Sequence, residues 1–174
     1  TSAGPYGPAA RSGTAGPCGL TAAHAALASI TLAQGDAREA AGHLSQLAQL
    51  ASSEGDDDQA ALSALAGARL LRVLDPRAAT QLYELALEHD PGSAEAADSL
   101  ADRLADEQRW PELVRLVRAR AVITADPARA VQLRLRLADV FVNQLGDPAS
   151  AQQELSTARQ LAPEDPAVHE MAAT

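Results

Sequence analysis

Asp-Pro steps punctuate the chain at Asp75-Pro76, Asp90-Pro91, Asp126-Pro127, Asp147-Pro148 and Asp165-Pro166. Between them lie runs of roughly 12 to 16 residues, the length of ordinary helices, built largely from alanine and leucine. An aspartate before a helix accepts hydrogen bonds from backbone N–H groups that have no partner inside the helix. A proline at the first helical position gives up no donor that the helix needs, whereas a proline further in would break it. Four of the steps read as helix starts. Asp90-Pro91 reads as a stop, with Gly92 ending one helix and Ser93 capping the next. Gly35-Asp36 and Trp110-Pro111 mark two further starts. The punctuation predicts about eight helices in antiparallel pairs, with a ninth beginning near Pro166. Alanine and leucine favour helix. Aromatics make up only 2% of the chain, and valine and isoleucine are few, so a β-rich core has no material. Small alanines allow helix backbones to approach closely, which implies a thin core. Residues 1–19 carry too many glycines and prolines to propagate a helix and read as a flexible segment.

Spacing turns the helix list into an architecture. Ala79-x3-Tyr83-x2-Ala86-Leu87, closing at Pro91, resembles the second helix of a tetratricopeptide repeat (TPR). Gly67, twelve residues earlier, stands where that family has a small residue in its first helix. A step of 34 residues, the family period, leads from Gly67 to Ala101 and from Ala79 to Leu113, and Leu100-Ala101 and Leu104 continue the pattern. Upstream, Leu27-Ala28 is followed by Ala40-x3-Leu44-x2-Leu47-Ala48. Downstream, Leu137-Ala138-x2-Phe141 is followed by Ala151-x3-Leu155-x2-Ala158 and Pro163. Longer connections at Ser52–Asp58 and Ala121–Arg129 accommodate uneven spacing while the helix faces stay in phase. The resemblance covers residues 20–174 and implies an all-α, right-handed α-solenoid of antiparallel helix pairs. Its units run about 20–52, 58–91, 93–124 and 127–163, with a final helix at 166–174.

Charge and motifs narrow the function. A net charge of −9 opposes nucleic acid and anionic membrane surfaces. All 14 basic residues are arginine, a bias that suggests a high-GC bacterial genome. Cys18 is the single cysteine, so no internal disulfide forms; cytoplasm and periplasm both remain open, with the cytoplasm slightly favoured. No run reaches the length of a membrane-spanning helix. The Walker, dinucleotide-fold and nucleophile-elbow signatures are absent. His24, His43, His89 and His169 fall on separate helices and offer no metal-ligand spacing. The acidic run Glu54–Asp58 lacks a calcium-loop pattern and reads as helix N-terminal charge. Neither catalysis, a cofactor nor a metal is expected.

Carried onto this chain, the TPR resemblance implies that the first helix of each pair lines a concave groove for protein or peptide partners. Glu95, Asp98, Asp102 and Asp106 of the third unit would then face that groove, joined by Asp139 of the fourth; spacings of three and four residues set the first four on one helical face. Ala25, Ser29, Leu32, Ala61, Ala64, Ala68 and Leu71 would form an apolar stretch of the same groove. Residues 113–138 hold six arginines, Arg115, Arg118, Arg120, Arg129, Arg134 and Arg136, against Asp126 alone. Most are expected on the outer helix and the following connection. They either bridge to the neighbouring acidic helix or, at Arg115, Arg118 and Arg134, receive an acidic partner. The expected function is a scaffold that binds a basic, partly apolar segment, with a structural segment of a longer solenoid in a larger assembly as the alternative.

Overall fold

A computed structural model describes residues 17–172, and the side chains of all but a few at its ends. The Gly/Pro-rich segment expected at 1–19 lies outside the described residues up to position 16, and positions 17–19 belong to the first helix. The described residues form nine helices and no strand. They are α1 (Pro17–Ala33), α2 (Ala37–Glu54), α3 (Asp57–Leu74), α4 (Pro76–His89), α5 (Ala94–Asp106), α6 (Trp110–Ile123), α7 (Pro127–Asn143), α8 (Pro148–Leu161) and α9 (Pro166–Ala172). Successive helices pack on one another throughout.

The helix boundaries follow from local chemistry. The carboxylates of Asp36, Asp75 and Asp147 accept from the backbone N–H groups of Glu39, Ala78 and Ser150 at 3.0, 3.1 and 3.1 Å. Asp126 and Asp165 accept from Ala128 and Ala167 at 3.1 and 2.9 Å. Within the acidic run, Asp56 caps α3 by accepting from Gln59 N–H at 3.0 Å, and Asp57 and Asp58 occupy the first turn, where carboxylates favour the helix dipole. Asp90 ends α4 instead, and its side chain accepts from Gly92 N–H at 2.9 Å. Ser93 holds the cap position of α5 without making a side-chain cap bond. Gly35 and Gly55 end α1 and α2 with φ of 84° and 76°, a left-handed conformation that glycine adopts without a Cβ penalty.

Burial fixes how the repeats align. In α5 the buried residues are Ala96, Ala97, Leu100, Ala101 and Leu104. In α3 the same pattern falls on Ser63, Ala64, Gly67, Ala68 and Leu71. The equivalent of Ala101 is therefore Ala68, one residue after the glycine indicated by the 34-residue step. One residue rotates a helix by about 100°, so the slip changes which face of α3 is solvated. Ala61, Ala64, Ala68 and Leu71, expected on the groove, lie in the interior; Leu62, Arg69 and Val73 are exposed in their place.

Ala138 in α7 and Ala28 in α1 continue this register. Odd-numbered helices form one layer and even-numbered helices the other. Side-chain links join α3 to α5 and α5 to α7, while α2 and α4 together wall a cavity of about 620 Å³.

One core cluster runs from Ala41 to Leu155 and holds Tyr83, Leu113 and Leu137, each 1% exposed. A smaller cluster of Val131, Ala158 and Val168 seats α9. Tyr83 is the largest side chain among those fully buried, and Tyr83→Ala should lower unfolding free energy in urea by about 3–5 kcal/mol. Gly42 is helical and exposed, and a Cβ added there meets nothing within 4 Å. Gly42→Ala should therefore raise stability by about 1 kcal/mol in the same assay, through helix propensity alone.

Candidate functional site

The shared register puts four equivalent stripes on the face formed by the odd-numbered helices. They are Ala25, Ser29 and Leu32 in α1; Leu62, Leu65, Arg69 and Val73 in α3; Glu95, Asp98, Asp102 and Asp106 in α5; and Leu135, Asp139, Val142 and Asn143 in α7. Leu32 is exposed and Leu71 is buried, so of these two apolar residues expected on the groove only Leu32 reaches its surface.

The α5 carboxylates are not bare. Arg69 of α3 donates from Nε and Nη2 to the two carboxylate oxygens of Glu95. From the other side, Arg129 Nη2 donates to Asp98 at 2.7 Å and Arg136 Nη2 to Asp102 at 2.9 Å, both from α7. Asp106 lies 3.8 Å from Arg103 of its own helix, and Asp139 accepts from Asn143 Nδ2 at 2.7 Å. The arginines at 129, 134 and 136 thus sit on α7 itself rather than on the outer helix or the connection before it.

Most of these groups are well exposed, so solvent screening limits each bridge to about 0–1 kcal/mol. The Arg69 guanidinium holds the Glu95 carboxyl below its ordinary range. That stabilisation is complete above the ordinary carboxylate range and is lost as the pH falls through the depressed value.

A pocket opens between α7, α8 and α9. Leu135, Ala138, Asp139, Val142 and Asn143 of α7, Leu155 of α8, and Ala167, Glu170 and Met171 of α9 enclose about 400 Å³. Its walls are mainly apolar, with two carboxylates among them. It lies on the same face as the α5 stripe, one repeat further on. The sequence predicts the helix at 166–174 but assigns neither it nor Leu135 to a site, although Leu135 and Val142 hold the register positions of Asp98 and Ala105.

No protein-family model and no curated protein matches this chain. Solved structures do. BtubC (BKLC) from P. vanneervenii superimposes with a TM-score of 0.53 at 20% identity over 85% of this chain. The MamA RS-1 ArsTM double mutant does so with a TM-score of 0.50 at 17% identity over 86% of this chain and 79% of its own. The fold is that of a TPR-type α-solenoid. The chain spans 65% of the length of the BtubC structure.

Inside the solenoid, one register position between the two helices of each repeat changes character along the chain. On the first helices it falls on His24, Ala64, Ala97 and Arg134, and on the second helices on His43, Leu82, Leu116 and Glu154. The histidines, separate in sequence, approach to 3.3 Å between their Nδ1 atoms. Among the described residues, no group of three or more His, Cys, Asp or Glu side chains is placed to hold a metal.

At the other end Glu154, 5% exposed, accepts from Arg134 Nη1 at 2.7 Å and from Arg118 Nη2 at 2.7 Å. The Arg118 guanidinium lies 5.5 Å from the centroid of the Phe141 ring. Of the arginine patch read from the sequence, Arg118 and Arg134 therefore converge on one carboxylate, while Arg115 is exposed. Glu154→Ala strands the largely buried Arg134 charge and should cost about 3–5 kcal/mol in chemical denaturation. The Arg134→Leu/Glu154→Leu pair should recover much of that loss, because it removes both charges from the interior.

Proposed function

We propose that this solenoid is a protein-interaction scaffold rather than an enzyme, and that its inner face takes a basic, partly apolar segment of a partner protein. The α7–α9 pocket carries the reading: an apolar recess of about 400 Å³ with Asp139 and Glu170 at its walls, on a chain of net charge −9. Leucine-like side chains entering the recess would supply the affinity. Arginines or lysines beside them would meet the carboxylates and speed encounter. The α5 carboxylates play a secondary part, since an incoming cation must compete there with Arg69, Arg129 and Arg136.

Synthetic peptides test this. A helical peptide with leucines at i and i+3 flanked by arginines should bind in calorimetry, and a matched peptide with glutamates in place of the arginines should not. Leu135→Arg should weaken binding by at least ~10-fold, as loss of a central anchor does. Asp139→Lys should slow association and reduce its dependence on salt. Equal binding of both peptides, or indifference to Leu135→Arg, would overturn the proposal.

A further inference from the structure

The layer of even-numbered helices, opposite the face that carries the α7–α9 pocket, is not closed to the same degree along its length. Arg118 of α6 donates from Nε and Nη2 to Glu154 of α8 at 3.0 and 2.7 Å, so its side chain spans the space between these two outer helices. Two repeats earlier in the shared register, Arg118 corresponds to Ser45 of α2 and Glu154 to Leu82 of α4. A serine is too short to make that span. Three residues before it, Gly42 stands where the other outer helices carry Gln81, Arg115 and Gln153, all exposed. With both positions short, a cavity of about 620 Å³ opens between α2 and α4 and reaches down to Leu71 of the inner layer.

Nothing inside the fold requires a glycine at 42. An added Cβ meets no atom within 4 Å, and glycine in a helix interior is less favourable than alanine or glutamine. What it does is leave a strip of α2 backbone open to close approach from outside. The opposite wall is acidic. Glu84 and Glu88 of α4 are exposed, line the cavity and lie four residues apart, a spacing at which like charges weaken a helix. Neither carboxylate has a hydrogen-bond or ion-pair partner among the described residues. Arg38, the cation in the lining, donates instead to the Leu74 carbonyl at 3.2 Å. The α5 carboxylates, by contrast, are clasped by arginines of neighbouring helices.

We propose that the cavity between α2 and α4 is a second docking site, which takes a basic helix of a partner protein. The wall residues recur at helical spacing on both sides, so a helix laid along them meets each wall at every turn. A small residue of that helix rests on Gly42, a leucine reaches Leu71 and Leu85, and arginines or lysines one turn apart meet Glu84 and Glu88. Charge selects this occupant, because an acidic helix would be repelled by the two carboxylates and by a chain of net charge −9. Apolar contact at the base then supplies affinity and the glutamates supply orientation.

Titration of the full chain with a synthetic helical peptide tests this. The peptide carries arginines at i and i+4, alanine at i+3 and leucine at i+7, which share one face. It should shift the Gly42 amide resonance, and the same peptide with glutamates for arginines should not. Gly42→Gln restores the side chain of Gln81 and Gln153 in a space that is open. It should raise the urea midpoint yet weaken binding in calorimetry at least ~10-fold, by filling the contact. Glu84→Gln with Glu88→Gln should weaken binding ~10-fold and flatten its dependence on salt. Leu135→Arg should leave all of this intact, so that failure here and failure at the α7–α9 pocket are told apart. An unmoved Gly42 resonance, a Gly42→Gln chain that binds equally well, or indifference to the neutralised glutamates would refute the site. A Gly42 resonance that moves with protein concentration alone would do so too, by giving the cavity to a second copy.

Discussion

The stack depends on α3, α5 and α7 each being covered by the helix before and the helix after. Gly67 shows the constraint at its tightest, held between α2 and α4 with no room for a larger side chain unless a neighbour shifts. A helix lined with alanine presents little apolar area per residue, so one neighbour cannot offset the entropy of ordering it. Contact on both sides does. Stability is then distributed along a stack of nearest-neighbour interfaces, which gives the two ends a physical status of their own. At the C-terminal end α9 covers part of α8 and completes a pocket.

Charge is subordinate to that packing but sets what the surface can do. The acidic stripe of α5 is matched by arginines from the helices before and after it, so the centre of the inner face is close to self-neutralised. The apolar recess at α7–α9 lies one repeat beyond that stripe. Between the two helices of each repeat, one register position brings His24 to His43 in the first repeat and Arg134 to Glu154 in the last, and holds apolar residues in the middle two. Buried Glu154 is held by two arginines, an arrangement that favours one alignment of α7 and α8 because any other leaves a charge stranded.

Much of the fold was legible because its signals are local. A capping aspartate acts on N–H groups two or three residues away, so Asp36, Asp75, Asp126, Asp147 and Asp165 announce their helices without reference to anything distant. The site was less legible. Assigning Gly67 rather than Ala68 to the repeat position turned α3 by about 100° and put Leu71 on the groove when it belongs to the core. The arginine clasps on Glu95, Asp98 and Asp102, and the meeting of His24 with His43, join residues 19 to 34 positions apart. Helix periodicity carries no information about such pairs.

The sequence by itself determined where helices start and stop, that they pair, and that the pairs stack into an α-solenoid, since capping, propensity and repeat spacing act over short distances. Only the tertiary structure decided which face of each helix is solvated, which carboxylates are already neutralised and where an apolar recess stays open. Those properties arise from the rotation of one helix against the next, and small alanines on several sides of a helix do not specify that rotation until the neighbours are in place.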